Sequence, residues 1–455
     1  MLDKIWKNTA EYKGAGSQDE QKSKGQFFTS PDTVRYMAGW YRPASRAVNI
    51  LDPGAGNGSL AASVVERLVL DSLCDDIRVT YIENDARVLP VLKQTVRYIR
   101  DFCKKRGVVC RVEVLEKNYI LADVNDSYDL VICNPPYKKI RKDSKESEKM
   151  WEYVYGQPNI YALFMAKSFH LLKEGGSFVF ITPRSWMSGS YFSRVRELLM
   201  LGLSFDKIHV FSERDKSFSN ESVLQETMIL FATRRKQQEN VEISISSDDS
   251  FADVDSITVP AKQIKDIGKD RYVLIPSSVE EAKLVRKMAK LPNTFGSLGY
   301  IFRTGPVVEF RNRDVISTTR KPNYVPMYRA LNVADDKLVF PAQTAKAQYV
   351  SSDAKKLLIK NENTVFIRRL SAKEESRRIQ SCVYYRQGDS DYISVENHVN
   401  YVSRADGEPL SNAEVEWIQK LLSSREYDTY FRLLNGSTQV NAGELNQLPV
   451  KGVEV

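Results

Sequence analysis

Apolar positions in the first half of the chain follow two alternating rhythms. Compact runs at 48–51, 77–82, 110–115, 130–133 and 177–182 are rich in Val, Ile and Phe, the composition of strands buried on both faces of a parallel sheet. Between them apolar residues return at helical spacing: Leu60, Val64, Val65 and Leu68 in one stretch, Ile160, Leu163, Phe164 and Leu171 in another, the latter with Lys167 facing outward. A further helix opens at Pro31, capped by Thr29 or Ser30, with Val34, Met37 and Ala38 on its apolar face. Strands alternating with helices predict a doubly wound α/β sheet. Runs at 208–211 and 226–232, separated by polar residues 212–220, are strand-like and suit an antiparallel hairpin.

The same pattern sets expected boundaries. Residues 1–24 are polar, rich in Lys, Gln and Gly, and read as a loose or partly ordered N-terminal arm. A polar break at 234–240 and a Ser- and Asp-rich stretch at 244–255 close the α/β unit, which gives segments 1–24, 25–238 and 239–455. The last segment alternates short β-rich runs with turns and holds no second glycine-rich strand–helix unit, so a mainly β or α+β domain is expected.

Composition narrows the function classes. With 455 residues and 42% hydrophobic content the chain can build two or three ordinary domains. No run approaches the ~18–20 apolar residues of a membrane span, and the opening Met1-Leu2-Asp3-Lys4 lacks a signal-peptide pattern, so a cytoplasmic protein is expected. Five scattered cysteines and three histidines suit neither a disulfide framework nor a zinc site, and no metal is expected. Residues 301–380 hold 16 Lys and Arg against 8 Asp and Glu, a net +8 that equals the charge of the whole chain. Phe302, Phe310, Tyr324, Tyr328 and Tyr349 lie among them, a mixture that fits a nucleic-acid surface.

Candidate chemistry sits at strand ends. The run 130–133 must stop at Asn134, because Pro135 cannot donate to a ladder, and Asn134-Pro135-Pro136-Tyr137 follows. An Asn side-chain carbonyl and a Pro135 backbone carbonyl offer two acceptors for an amine with two N–H donors, and Tyr137 can stack on a planar ring. A nucleobase amine satisfies all three contacts; alone, the tetrapeptide also suits a proline-rich turn without chemistry. Upstream, Asp52-Pro53-Gly54-Ala55-Gly56-Asn57-Gly58 joins the first strand to a helix without the Lys-Ser/Thr of a triphosphate loop. Glu83 ends the second strand, where an acid accepts ribose hydroxyls, and Asp123 is expected at the next strand end, where it can accept an adenine amine. Residues 138–149 add six basic and three acidic side chains beside the presumed site. Cys133 precedes Asn134 on the buried strand and is read as core.

Taken in order, Phe27-Phe28-Thr29-Ser30-Pro31, the glycine turn, Glu83, Ala122-Asp123 and Asn134-Pro135-Pro136-Tyr137 resemble the γ-class N6-adenine DNA methyltransferases of type II restriction–modification systems, over about residues 25–235. The resemblance implies an S-adenosylmethionine-dependent methyltransferase fold, a doubly wound mixed sheet ended by the hairpin at 208–232, followed by a target-recognition domain, with S-adenosylmethionine as cofactor. By the same resemblance Phe28 and Thr29 flank the methionine part, Asp52, Pro53, Gly54 and Gly56 form the floor, Glu83 holds the ribose and Asp123 the adenine. Asn134 and Pro135 would hold the target amine at the cofactor's edge, with Pro136 shaping the turn and Tyr137 stacked on a flipped base. Phe218 is the candidate for the base's second face and Phe211 its competitor. Implied partners are double-stranded DNA, gripped by 301–380, and a separately encoded restriction endonuclease, with the methyltransferase acting as a monomer. Enzymes that methylate RNA bases or a protein glutamine share the tetrapeptide, and a DNA-binding protein that has lost catalysis is a further alternative.

Overall fold

The computed structural model describes residues 1–13, 29–211, 227–265, 267–268, 270–334, 336–371 and 375–452. They form two compact units, Met1–Ser278 and Val279–Val455.

The first unit is built on nine strands: β1 (Ala47–Pro53), β2 (Asp76–Ile82), β3 (Val109–Leu115), β4 (Tyr128–Cys133), β5 (Leu172–Pro183), β6 (Ser204–Phe211), β7 (Thr227–Thr233), β8 (Asn240–Ser246) and β9 (Asp255–Pro260). Their order is β3-β2-β1-β4-β5-β7-β6-β8-β9. The first five run parallel, and β7 is antiparallel to both β5 and β6. Ile50, Leu51, Leu130, Val131 and Ile132 are wholly buried, because helices cover both faces of the central strands. Since β1 and β4 are neighbours while the chain winds outward from each in opposite directions, their carboxyl ends flank the crevice where such sheets bind ligands.

Three expectations change. The hairpin forms, with Ile208 opposite Leu230, but it does not end the sheet, because β6 also pairs in parallel with β8 through Lys207 and Glu242, and β9 extends the edge. The first unit therefore continues to Ser278 and not merely to 238. Val241 and Ile243 supply the inward side chains of β8, an alternation hidden by the Ser- and Asp-rich sequence around it. Nor are the first residues a loose arm: Leu2–Lys13 is a helix that buries Leu2 and Ile5. Its Thr9 accepts a hydrogen bond from the Asn57 amide in the glycine turn at 3.0 Å.

In the second unit Tyr300–Thr304, Val399–Arg404, Thr364–Arg368 and Ser381–Tyr384 make an antiparallel sheet, beside a five-stranded one and the helices Val279–Met288, Asn412–Leu422 and Arg425–Leu434. This is the α+β character expected. Two of the basic residues counted in 301–380 are interior: Arg329 donates to Glu396 at 2.7 Å and to the Ala347 carbonyl, and Arg378 to the carbonyls of Ser371 and Ser437. Phe302 and Tyr328 are likewise buried, whereas Phe310 is exposed. Among the described residues no helix is long and apolar enough to cross a membrane.

A buried histidine sits on β6. Both ring nitrogens of His209 meet serine hydroxyls, Ser244 at 2.9 Å and Ser246 at 3.0 Å, and Tyr36, Phe211 and Phe251 close around the ring. Burial pulls its pKa down to about 4. A folded value below the unfolded one means that its stabilising share is complete above pH ~6.5 and shrinks as pH falls toward 4. In urea unfolding the stability advantage of the wild type over His209→Gln is expected to shrink by about 2 kcal/mol between pH 7.5 and pH 5, the buried Asp52 carboxyl being common to both proteins.

Candidate functional site

The crevice is shaped first by glycine. Gly54 and Ala55 donate to the Ile82 carbonyl at 2.8 and 3.1 Å, which turns the chain sharply after β1. Gly54 has φ of +67°, and a Cβ there would lie 3.2 Å from the Phe164 ring and 3.9 Å from Pro136 Cδ. Backbone and space both require glycine, and the turn packs directly on the Asn-Pro-Pro-Tyr segment. From below, the Cys133 thiol donates to the Pro53 carbonyl at 3.1 Å. Burial pushes that thiol well up, so it stays protonated and is core, as its place on β4 predicts.

Two acids anchor the turn. Asp52 is wholly buried and accepts from the Ala61 N–H at 3.2 Å, near the start of the helix Ser59–Leu70. Its other oxygen has no hydrogen-bond partner among the described residues, and burial drives the carboxyl well above the usual range. Asp52 thus supports the floor and adds no surface to it. Glu83 accepts from Gly56 N at 2.9 Å with one oxygen and from Asn84 N and Asp85 N at 2.8 Å with the other. This carboxylate ties the end of β2 to the end of β1.

The tetrapeptide is held by side chains from both sides. Asn134 Nδ2 donates to Thr29 Oγ1 at 3.0 Å, and Tyr137 Oη donates to Asn134 Oδ1 at 2.9 Å and to the Ile181 carbonyl at 3.1 Å. Thr29 is buried, and the following helix is capped by Ser30, which accepts from Thr33 N. Burial raises the Tyr137 hydroxyl well above its ordinary pKa, so it acts as a neutral donor. Its ring meets Tyr161 edge-on at 6.1 Å. Thr29 and Tyr137 together hold both ends of the Asn134 amide and so fix the plane in which it lies.

A cavity of about 580 Å³ opens beside these groups, within the ~300–1,000 Å³ of small-molecule sites. Gly54, Gly56, Glu83, Asn134, Pro136 and Phe164 line it, which brings the glycine turn, the strand-two acid and the tetrapeptide together. Pro53 and Pro135 are buried beside it. The lining also includes Asp85, Asn118 and Glu146, polar residues to which the sequence pattern assigns no site role. Asn118 donates to Glu146 at 2.9 Å and accepts from the N–H groups of Ile120 and Leu121. An Asn soon after a strand end, followed by apolar residues, is the usual sign of such a side-chain turn.

Asp123 does not reach the cavity. Its side chain is 86% exposed and pairs with Lys149 at 2.7 Å. The cause is Lys167, which faces inward and not outward as its helical position suggests, donating to the carbonyls of Tyr119, Ile120 and Ala122. The loop wraps around that ammonium, placing Asn118 inside and Asp123 outside. Burial lowers the Lys167 pKa to about 8. Phe211 is also unavailable to a ligand, being buried against His209 and Phe251. Phe28 and Phe218 lie outside the described residues.

A family model, the Eco57I restriction-modification methylase, matches residues 78–218. Over 93% of its length the chain is 32% identical to the type II methyltransferase M.PstI of Providencia stuartii, covering 86% of that protein. It is 30% identical to the type II methyltransferase M.BsuBI of Bacillus subtilis, covering 93% of this chain and 87% of that one. Among solved structures, a nuclease-deletion mutant of the type ISP restriction-modification enzyme LlaGI in complex with a DNA substrate mimic aligns at a TM-score of 0.50 and 12% identity. That alignment covers 90% of this chain and 52% of the other and shows a likeness of fold.

The two acids at issue separate cleanly in a stability measurement. Glu83→Ala leaves three backbone donors of the turn without their acceptor and is expected to cost the first unit about 2–4 kcal/mol in urea unfolding. Asp123→Ala removes an exposed pair and is expected to leave the unfolding midpoint unmoved.

Proposed function

This chain belongs to the type II methyltransferases of restriction–modification systems, which act on specific DNA sites, and we propose that its target is the N6 amine of an adenine. The observation that carries the reading is the fixed amide of Asn134 at the rim of a cavity lined by strand-end carboxylates. The order of motifs, which resembles the N6-adenine enzymes, supports it. An adenine amine is a poor nucleophile because its lone pair is conjugated into the ring. Two acceptors, Asn134 Oδ1 and the Pro135 carbonyl, draw on its hydrogens and return that pair to nitrogen. A carbonyl oxygen has two lone pairs, so Oδ1 can take the amine while Tyr137 shares or yields its place.

The cavity fits S-adenosylmethionine as the methyl source. Gly54 and Gly56 leave its floor bare, and Glu83, Asp85 and Glu146 outnumber the cations Arg87 and Lys138 around it, which suits a ligand bearing a sulfonium and an ammonium. When bound, it supplies an electrophilic methyl group. Glu83 has four acceptor sites, three of them engaged with backbone N–H groups, and offers the last to a ribose hydroxyl. Asn134 and Pro135 then hold the amine in line, so rate enhancement comes from positioning and from the two carbonyl dipoles.

The adenine leaves the duplex to reach Asn134, at a cost of a few kcal/mol. The second unit reads the recognition sequence and offsets that cost with exposed Arg313, Arg320 and Lys321, while buried Arg329 and Arg378 only hold its fold. A separately encoded endonuclease cuts the same site when it is unmethylated.

Transfer of labelled methyl from S-adenosylmethionine to unmethylated duplex DNA, tRNA and a release-factor peptide tests the substrate class. Label is expected in the duplex, and label only in tRNA or peptide contradicts the reading. Asn134→Ala is expected to lower kcat on the order of a hundredfold while cofactor affinity by calorimetry holds. Thr29→Val should cost about tenfold and Thr29→Ser little, because only the serine keeps the acceptor for the amide. Arg320→Ala and Lys321→Ala are each expected to reduce the salt slope of DNA binding by about 1, uniformly across sequences.

A further inference from the structure

Two loops leave the carboxyl edge of the sheet beside Tyr137, one after β4 and one after β5, and both turn large aromatic rings outward. Trp151 is 66% exposed, Tyr155 51% and Tyr191 52%. They belong to one patch: the Tyr191 ring lies so close over Gly156 that a Cβ there would be 2.4 Å from it, and Arg194 donates to the carbonyls of Trp151 and Glu152 at 3.2 Å. Behind the patch Tyr161 stacks on Phe192, with ring centres 5.3 Å apart, and touches Tyr137 edge-on. Phe192, next to Tyr191 in the chain, is thus joined through Tyr161 to the tetrapeptide. Isolated exposed aromatics need no explanation, but a cluster at the rim of a site does.

Charge identifies the occupant. Lys138, Lys139, Lys142 and Lys145 precede the rings on the first loop and are exposed, while Arg141 among them pairs with Asp143. Flat rings edged by cations match a polyanion with stacking faces, the surface pattern of proteins that hold unpaired bases. Removing one base from a duplex leaves its neighbours and its former partner each short of one stacking face.

We propose that Trp151, Tyr155 and Tyr191 form a stacking platform for DNA bases next to the target, replacing the stacking lost when the target leaves the helix. The proposal rests on the extruded-adenine reading above. Because the rings are mostly exposed, their replacement leaves the fold and cofactor affinity intact. The platform lowers the cost of extrusion and takes no part in methyl transfer itself.

The test compares Trp151→Ala and Tyr191→Ala with wild type on a fully paired duplex and on one mismatched at the target, where extrusion is already cheap. The expected result is a loss of about tenfold in kcat/KM on the paired duplex and less than threefold on the mismatched one. Equal losses on the two duplexes, or none on either, would overturn the platform. A second readout is tryptophan fluorescence: duplex DNA should quench the wild type, and Trp151→Phe should lose most of that quench. An unchanged quench in Trp151→Phe also overturns it. Quenching reads the platform even in an enzyme that labels no adenine, so the two claims fail separately.

Discussion

Parallel pairing of β1 with β4, through Ile50 with Leu130 and Leu51 with Val131, sets two strand ends side by side that lie 80 residues apart in sequence. Everything at the crevice follows from that register. It seats Gly54 against Pro136 and Phe164, brings the Cys133 thiol under the Pro53 carbonyl, and leaves Asn134 within reach of Thr29. A slip of one residue would turn the buried set of either strand to its other face and separate these partners. The hydrophobic strand cores thus hold the polar chemistry in place.

Much of the polar capacity of the site is spent on the protein itself. Glu83 gives three acceptor positions to backbone N–H groups, Asn118 uses its oxygen on its own turn, and Asn134 is bonded at both ends of its amide. Such internal bonds fix the geometry before a ligand arrives, which lowers the ordering cost of binding. They also make each residue structural and functional at once, so loss of Glu83 disturbs the turn as well as any ligand contact.

Legibility in the sequence followed the range of the interactions. Strands β1, β2 and β4, the glycine turn, Glu83 and the tetrapeptide were readable because each depends on local pattern: apolar runs, positive-φ glycines and prolines that stop a ladder. Asp123 was misplaced because its position is decided by Lys167, more than forty residues away, whose burial no local spacing reveals. Glu146 was read only as part of a charged loop, since nothing near it in sequence points to Asn118. The break at 238 fails for a similar reason: β8 and β9, with polar residues on and around them, look like a linker until β6 is there to pair with β8. In the second unit the charge count held as a surplus, yet Arg329 and Arg378 are interior ties, because composition cannot tell a guanidinium facing solvent from one bonded to buried carbonyls.

We propose that the amide of Asn134 holds the exocyclic amine of an adenine. It is tested most directly by digesting duplex DNA to nucleosides after incubation with enzyme and methyl-labelled S-adenosylmethionine, and separating the labelled product. Label is expected in N6-methyldeoxyadenosine. Label in N4-methyldeoxycytidine or in 5-methyldeoxycytidine would contradict it.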